Sequence, residues 1–234
     1  MVKAELTKKS PLRSLEKAVH GGLGKGNIAV IASKKGIGKT ACLVHIATDK
    51  LMQNKHVIHV SYANKVDHIV SWYEDIFKEI SKKRDLESAM TIHDEIIQNR
   101  VIMNFSQKGI PVTQVLASVK AMMDNGQIGT DAIIIDGYDF TLGSAEDIKT
   151  FKAFAVKEDI ELWFSDSYPE GEDYLDSRGV PKNLIKDLDD LSVVLTLRAE
   201  KNYMILNLVK DHKAIISEDL QLKLDPKTLL IAEV

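Results

Sequence analysis

A single cysteine, Cys42, in 234 residues excludes an intramolecular disulfide and any cysteine-rich zinc site. A chain without cross-links suits a reducing compartment, so a cytoplasmic setting is expected. Long apolar runs are missing as well. No stretch approaches the roughly 20 residues that a membrane-spanning helix needs, so no membrane partner is expected. The first ten residues are polar and lack the apolar centre of a signal peptide. An excess of charge of either sign is also absent, since 31 Lys and Arg stand against 34 Asp and Glu. The formal net charge of −3 gives no global attraction to nucleic acid or to an anionic membrane surface. No repeat, low-complexity segment or linker divides the chain, and its length suffices for one core.

What is present is an ordered motif. Ser33-Lys34-Lys35-Gly36-Ile37-Gly38-Lys39-Thr40 follows the apolar run 28–32 and precedes a helical pattern of Leu43, Val44, Ile46, Ala47 and Leu51. Strand, glycine loop, lysine, threonine and helix is the order of a phosphate-binding P-loop. The glycines let backbone N–H groups turn toward an anion, and the helix start adds the positive end of its dipole. The expected cradle is Ser33, Lys34, Lys35, Gly36, Ile37, Gly38, Lys39, Thr40 and Ala41. Lys39 is expected to reach the β/γ-phosphates and the Thr40 hydroxyl to ligate Mg²⁺, which makes ATP and Mg²⁺ the expected cofactors. The consensus opens with glycine where this chain has Ser33. An ordinary strand–turn–helix connection is the alternative.

The remaining pattern alternates strands with helices. Ser10-Pro11 opens a short helix that His20-Gly21-Gly22 stops. Strands are expected at 28–32, 56–62, 100–105, 131–136 and 160–164. Helices are expected after the loop, from Asp67, over 88–99, from Pro111 to Gly126, and after a capping box of Ser144 with Asp147. The basic end of the Asp67 helix, Lys82-Lys83-Arg84, complements its dipole. Strands alternating with helices mean βαβ units and a mainly parallel sheet covered on both faces. Residues 168–181 read as a long loop. Beyond it, 192–198 and 203–210 read as strands joined by a polar turn, with shorter apolar runs at 221–224 and 229–232. One domain is expected over 1–234, with a helical lead-in at 1–20 and antiparallel hairpins at 190–234.

Asp136 supplies the second half of the motif. An aspartate closing an apolar strand downstream of a P-loop is the Walker B arrangement, which holds Mg²⁺ or its water. Asp139 is a second acid or a turn residue. Hydrolysis needs a group that orients or activates water, and Asp166, just after the fifth strand, is the remaining candidate beside Lys39 and Asp136 for a catalytic role.

The approach His20-Gly21-Gly22-Leu23-Gly24-Lys25-Gly26 resembles that of the RecA-like P-loop ATPases, closest to the group of the circadian-clock ATPase KaiC and the helicase DnaB. Asp136 matches the Walker B aspartate of that family, and 189–197 resembles its late strand before a hairpin. Lys210-Asp211-His212-Lys213 falls where the family carries a Lys-x-Arg element that reaches a neighbouring subunit's nucleotide. The resemblance implies a three-layer α/β/α fold, nucleotide binding, and assembly with itself or with related subunits, with Lys210 and His212 acting in trans. It departs from the family at Ser33, at His212 in place of arginine, and at Ala63 or Asn64, where relatives carry a water-activating glutamate. A slow or degenerate ATPase is one expectation and a non-hydrolysing nucleotide-sensing scaffold subunit another. The loop also resembles that of ParA/MinD-type ATPases, with Lys34 at their signature lysine. A DNA-handling recombinase relative ranks low, because Glu170, Glu172, Asp173 and Asp176 outnumber Arg178 and Lys182.

Overall fold

A computed structural model of the chain describes residues 2–62, 67–82, 86–126, 129–169 and 174–233. Six strands lie parallel: β1 (Ile28–Lys34), β2 (Val57–Ser61), β3 (Arg100–Asn104), β4 (Ala132–Asp136), β5 (Glu161–Tyr168) and β6 (Val193–Ala199). β7 (Met204–Asp211), β8 (Ala214–Leu224) and β9 (Ile231–Glu233) continue the sheet antiparallel. The order across the sheet is β3-β2-β4-β5-β1-β6-β7-β8-β9. The fold is therefore α/β, with a mostly parallel centre and antiparallel C-terminal strands.

Helices cover both faces. Side chains of α1 (Val2–Lys8), α2 (Leu12–Ala18), α3 (Lys39–Met52), α4 (Asp67–Ser81) and α5 (Leu86–Gln98) join one core. Those of α6 (Val112–Gly126), α7 (Ala145–Glu158) and a 3₁₀ helix (Lys182–Asp187) join the other. This double cover explains the sequence of the central strands. In β1, Ile28 to Ala32 are all buried, so they read as an unbroken apolar run rather than an alternation. The α7 start forms as its capping box requires. The Ser144 hydroxyl accepts from the Asp147 N–H at 3.2 Å, and the Asp147 carboxylate accepts from the Ser144 N–H at 2.8 Å.

Several expectations change. α3 is buried on nearly every side instead of along one stripe, because α1 and α2 cover it together with Leu222, Leu224 and Ile231 of the late strands. β5 runs on to Tyr168 instead of stopping at 164, which carries Ser165 and Asp166 into the sheet. β8 is 11 residues long instead of the four expected at 221–224. Its Ser217, Glu218 and Asp219 stand on an exposed stretch, where strand formation needs no apolar pattern. The loop 168–181 is tighter than expected around Asp176. The Asp176 carboxylate accepts from the N–H groups of Arg178 and Val180 at 2.8 and 2.9 Å, and Leu175 bridges Pro181. Ala63, Asn64, Lys83, Arg84, Glu170, Glu172 and Asp173 lie outside the described residues.

Candidate functional site

β5 lies between β1 and β4, so the loop at the end of β1 and the aspartate at the end of β4 converge across one strand. In register, Ala32 pairs with Asp166 and Ser61 with Asp136. The loop turns on glycines with positive φ, 81° at Gly36 and 106° at Gly38, a region L side chains avoid. At Gly38 a Cβ would also overlap a methyl of Leu224. Gly38 is the N-cap of α3, and its carbonyl accepts the Cys42 N–H at 3.1 Å.

Lys34, Lys35 and Gly36 are exposed, Ile37, Gly38 and Thr40 half-buried, and Ser33, Lys39 and Ala41 buried. Lys39 folds back over its own loop. Its ammonium donates to the Lys34 carbonyl at 2.9 Å, the Ser33 carbonyl at 3.2 Å and the Ser33 hydroxyl at 3.1 Å. Three donors meet three acceptors, so the lysine is fully satisfied within the loop. Ser33, in place of the first consensus glycine, supplies two of those acceptors. Burial lowers the Lys39 pKa, while Asp166 and then Asp136 oppose the shift.

Thr40 and Asp136 meet directly. The Thr40 hydroxyl lies 3.0 and 3.2 Å from the two Asp136 oxygens. From β5, Ser165 donates to Asp136 Oδ1 at 2.6 Å and accepts the Gly137 N–H at 2.8 Å. A hydroxyl and a carboxylate this close are hard oxygen donors that fit Mg²⁺. Among the described residues no group of three His, Cys, Asp or Glu could hold a metal. Thr40 and Asp136 are the two side chains that could hold a cation here. Behind Asp136, His59 of β2 is fully buried and contacts the Tyr73 hydroxyl at 3.1 Å. Burial pushes its pKa down to about 4, with the Asp136 charge opposing.

Asp166 lies on the other face of β5. It is 1% exposed, and both its oxygens accept from Asn183 Nδ2, at 2.8 and 2.7 Å. Burial raises its pKa to about 6, while the Asn183 hydrogen bond and the Lys39 charge hold the rise in check. Beside the loop, a cavity of about 440 Å³ is lined by Lys34, Ile37, Tyr168, Thr196, Arg198 and Asn207. Tyr168 stacks on Tyr174 at 4.9 Å between ring centroids.

The structure brings Thr40 and Asp136 into contact and sets Lys39 where the charges of both Asp166 and Asp136 act on it. It places Lys210 and His212 at the opposite end of the sheet, since Val193 at the start of β6 pairs with Asp211. Lys210 is buried and donates to the Leu188 carbonyl at 2.8 Å and to the Leu191 carbonyl. Its ammonium is thus held by carbonyls of its own chain. His212 sits in the β7–β8 turn with φ 49°, and its Nδ1 lies 2.7 Å from Asp211 Oδ1. Asp139 serves a turn, with its carboxylate accepting from the Thr141 N–H at 2.8 Å. Arg178, one of the two cations near the acidic loop, is paired with Asp176 at 2.7 Å.

Ser165 and Asn183 are site residues that motif reading missed. Ser165 carried a signal, a hydroxyl at the end of an apolar strand beside Asp166. Asn183 carried none, because its role depends on how 174–187 folds back over β5.

Compared with known proteins, the chain matches no protein-family model. No curated protein matches it either.

Proposed function

We propose that this chain is a RecA-like P-loop protein that binds Mg-ATP at residues 33–41. The observation that carries the reading is the meeting of Thr40 with Asp136 beside a loop whose lysine is anchored on backbone carbonyls. In this reading Lys39 leaves the Ser33 and Lys34 carbonyls for phosphate oxygens. Thr40 and Asp136 would hold Mg²⁺, which would supply charge neutralisation at the phosphates. Ser165 keeps the Asp136 carboxylate aimed. The 440 Å³ cavity beside Lys34 and Ile37 offers room for the nucleoside half.

Equilibrium binding of ATP with and without Mg²⁺, for wild type, Lys39→Ala and Asp136→Asn, tests the reading. Wild-type binding that Mg²⁺ strengthens, lost in Lys39→Ala and made Mg²⁺-insensitive in Asp136→Asn, is the expected result. Equal binding by all three proteins would refute it. Phosphate release by wild type above that of Lys39→Ala would show hydrolysis, and none would leave a nucleotide-sensing scaffold.

A further inference from the structure

Asp166 and Asn183 come from β5 and the 3₁₀ helix, and together they form an incomplete pair. A carboxylate carries only acceptors, so of the Asn183 amide it can use the nitrogen alone, beside the Ser167 N–H that also donates to it. The single nitrogen is shared between both Asp166 oxygens. Asn183 Oδ1 is left buried with no hydrogen-bond partner. A protonated Asp166 changes the match. Its O–H can donate to the amide oxygen while the amide N–H donates to its other oxygen, two bonds closing one ring. The stranded acceptor then gains a partner, which removes a desolvation penalty.

The groups facing Asp166 decide when this happens. From α3 comes the Lys39 ammonium, which favours the ionised form. Asp139, in the loop after β4, disfavours it. The Tyr168 hydroxyl of β5 and the Tyr174 hydroxyl beyond it feel the Asp166 charge in turn. Lys39 is also the group that a bound triphosphate engages. Phosphate oxygens arriving there neutralise the cation that faces Asp166, and the triphosphate brings more negative charge than its Mg²⁺ offsets.

We propose that binding of a nucleoside triphosphate at the loop loads one proton onto Asp166, and that this proton closes the Asp166–Asn183 pair and ties the 3₁₀ helix more firmly to β5. The proton comes from solvent, one O–H bond forms on an Asp166 oxygen, and the carboxylate charge falls to zero. The inference rests on the nucleotide-binding reading above. Burial already raises the Asp166 pKa to about 6, so a further rise on binding carries it toward neutral pH. Binding is then linked to pH, and the dissociation constant rises as pH increases, by up to about tenfold per pH unit.

The test is calorimetric titration of the full chain with Mg-ATP at pH 7.5, in buffers of different ionisation enthalpy. Net proton uptake, of at most one proton per site, is expected for wild type. Asp166→Asn should bind with uptake abolished and with an affinity that varies little from pH 6.5 to 8. Asn183→Ala keeps the acid but lacks its pair, so its uptake should shrink. Amide exchange at 184–187 should slow on Mg-ATP binding in wild type and not in Asn183→Ala. Absence of any Mg-ATP binding by wild type overturns both readings. Binding without proton uptake, or with the same uptake in Asp166→Asn, overturns this one alone.

Discussion

Acid should loosen the C-terminal edge of the sheet through one buried histidine. His45 of α3 is 3% exposed, and its Nδ1 accepts the backbone N–H of Ile231, the first residue of β9, at 2.9 Å. An accepting ring nitrogen carries no proton, so this contact requires the neutral imidazole. Burial pushes the pKa down to about 4 from an ordinary 6.5, with the Asp49 charge opposing. A pKa that is lower in the folded state means that the unfolded chain takes the proton first. The stability tied to neutral His45 is therefore complete above about pH 6.5 and is lost as pH falls toward 4. The difference between 6.5 and about 4 is about 2.5 units, which sets a ceiling near 3 kcal/mol at about 1.36 kcal/mol per unit. By pH 5 about 2 kcal/mol should be gone. His59, also held near 4, adds a similar dependence. His45→Gln separates the two, because glutamine offers an acceptor that does not titrate. Denaturant unfolding at pH 7.5 and pH 5 should show the variant losing about 2 kcal/mol less than wild type. Amide exchange at Ile231 should quicken with acid in wild type and much less in the variant. Equal pH dependence of the two proteins, with Ile231 exchange unmoved, would refute the reasoning.

Gly38→Ala should destabilise the fold by about 2 kcal/mol or more, since it combines a left-handed φ with overlap of Leu224. Adding Leu224→Ala should relieve only the steric part, and an unchanged unfolding midpoint in Gly38→Ala would contradict the packing. Ser165→Ala should raise the Mg²⁺ concentration needed to support ATP binding by about tenfold, because a partner that aims a metal-binding carboxylate is lost. Unchanged Mg²⁺ dependence would show that Asp136 needs no such aim. Lys210→Met should cost about 1–3 kcal/mol by stranding the Leu188 and Leu191 carbonyls, and it should leave ATP binding intact. A variant of wild-type stability would show that Lys210 is not the internal tie described.

The elements of the fold were legible where local chemistry alone decides them. The apolar runs of β1 and β4, the glycine loop and the Ser144–Asp147 cap all sit where their patterns place them. Asp136 stands out because it closes an apolar strand downstream of the glycine loop, in Walker B order. What escaped depends on contacts distant in sequence. The order of β5 between β1 and β4 follows from packing, and no local signal encodes it. α3 looked one-sided because the strands that cover its far side come some 170 or more residues later. Lys210 sits in a segment whose resemblance suggested an outward reach, yet the Leu188 and Leu191 carbonyls that hold it inward belong to a turn with no distinguishing sequence.

The placement of β5 has a mechanical consequence. Ser165 and Asp166 are consecutive, and a strand sends consecutive side chains to opposite faces. One therefore touches the Asp136 side of the sheet and the other the Asn183 side. Any sliding of β5 along its axis displaces both contacts at once and in the same direction. A one-residue slip in one direction would set Asp166 against Asp136 and Ser167 against Asn183. The register of this strand is thus a lock with two keys, and neither half of the site can be rebuilt without resetting the other.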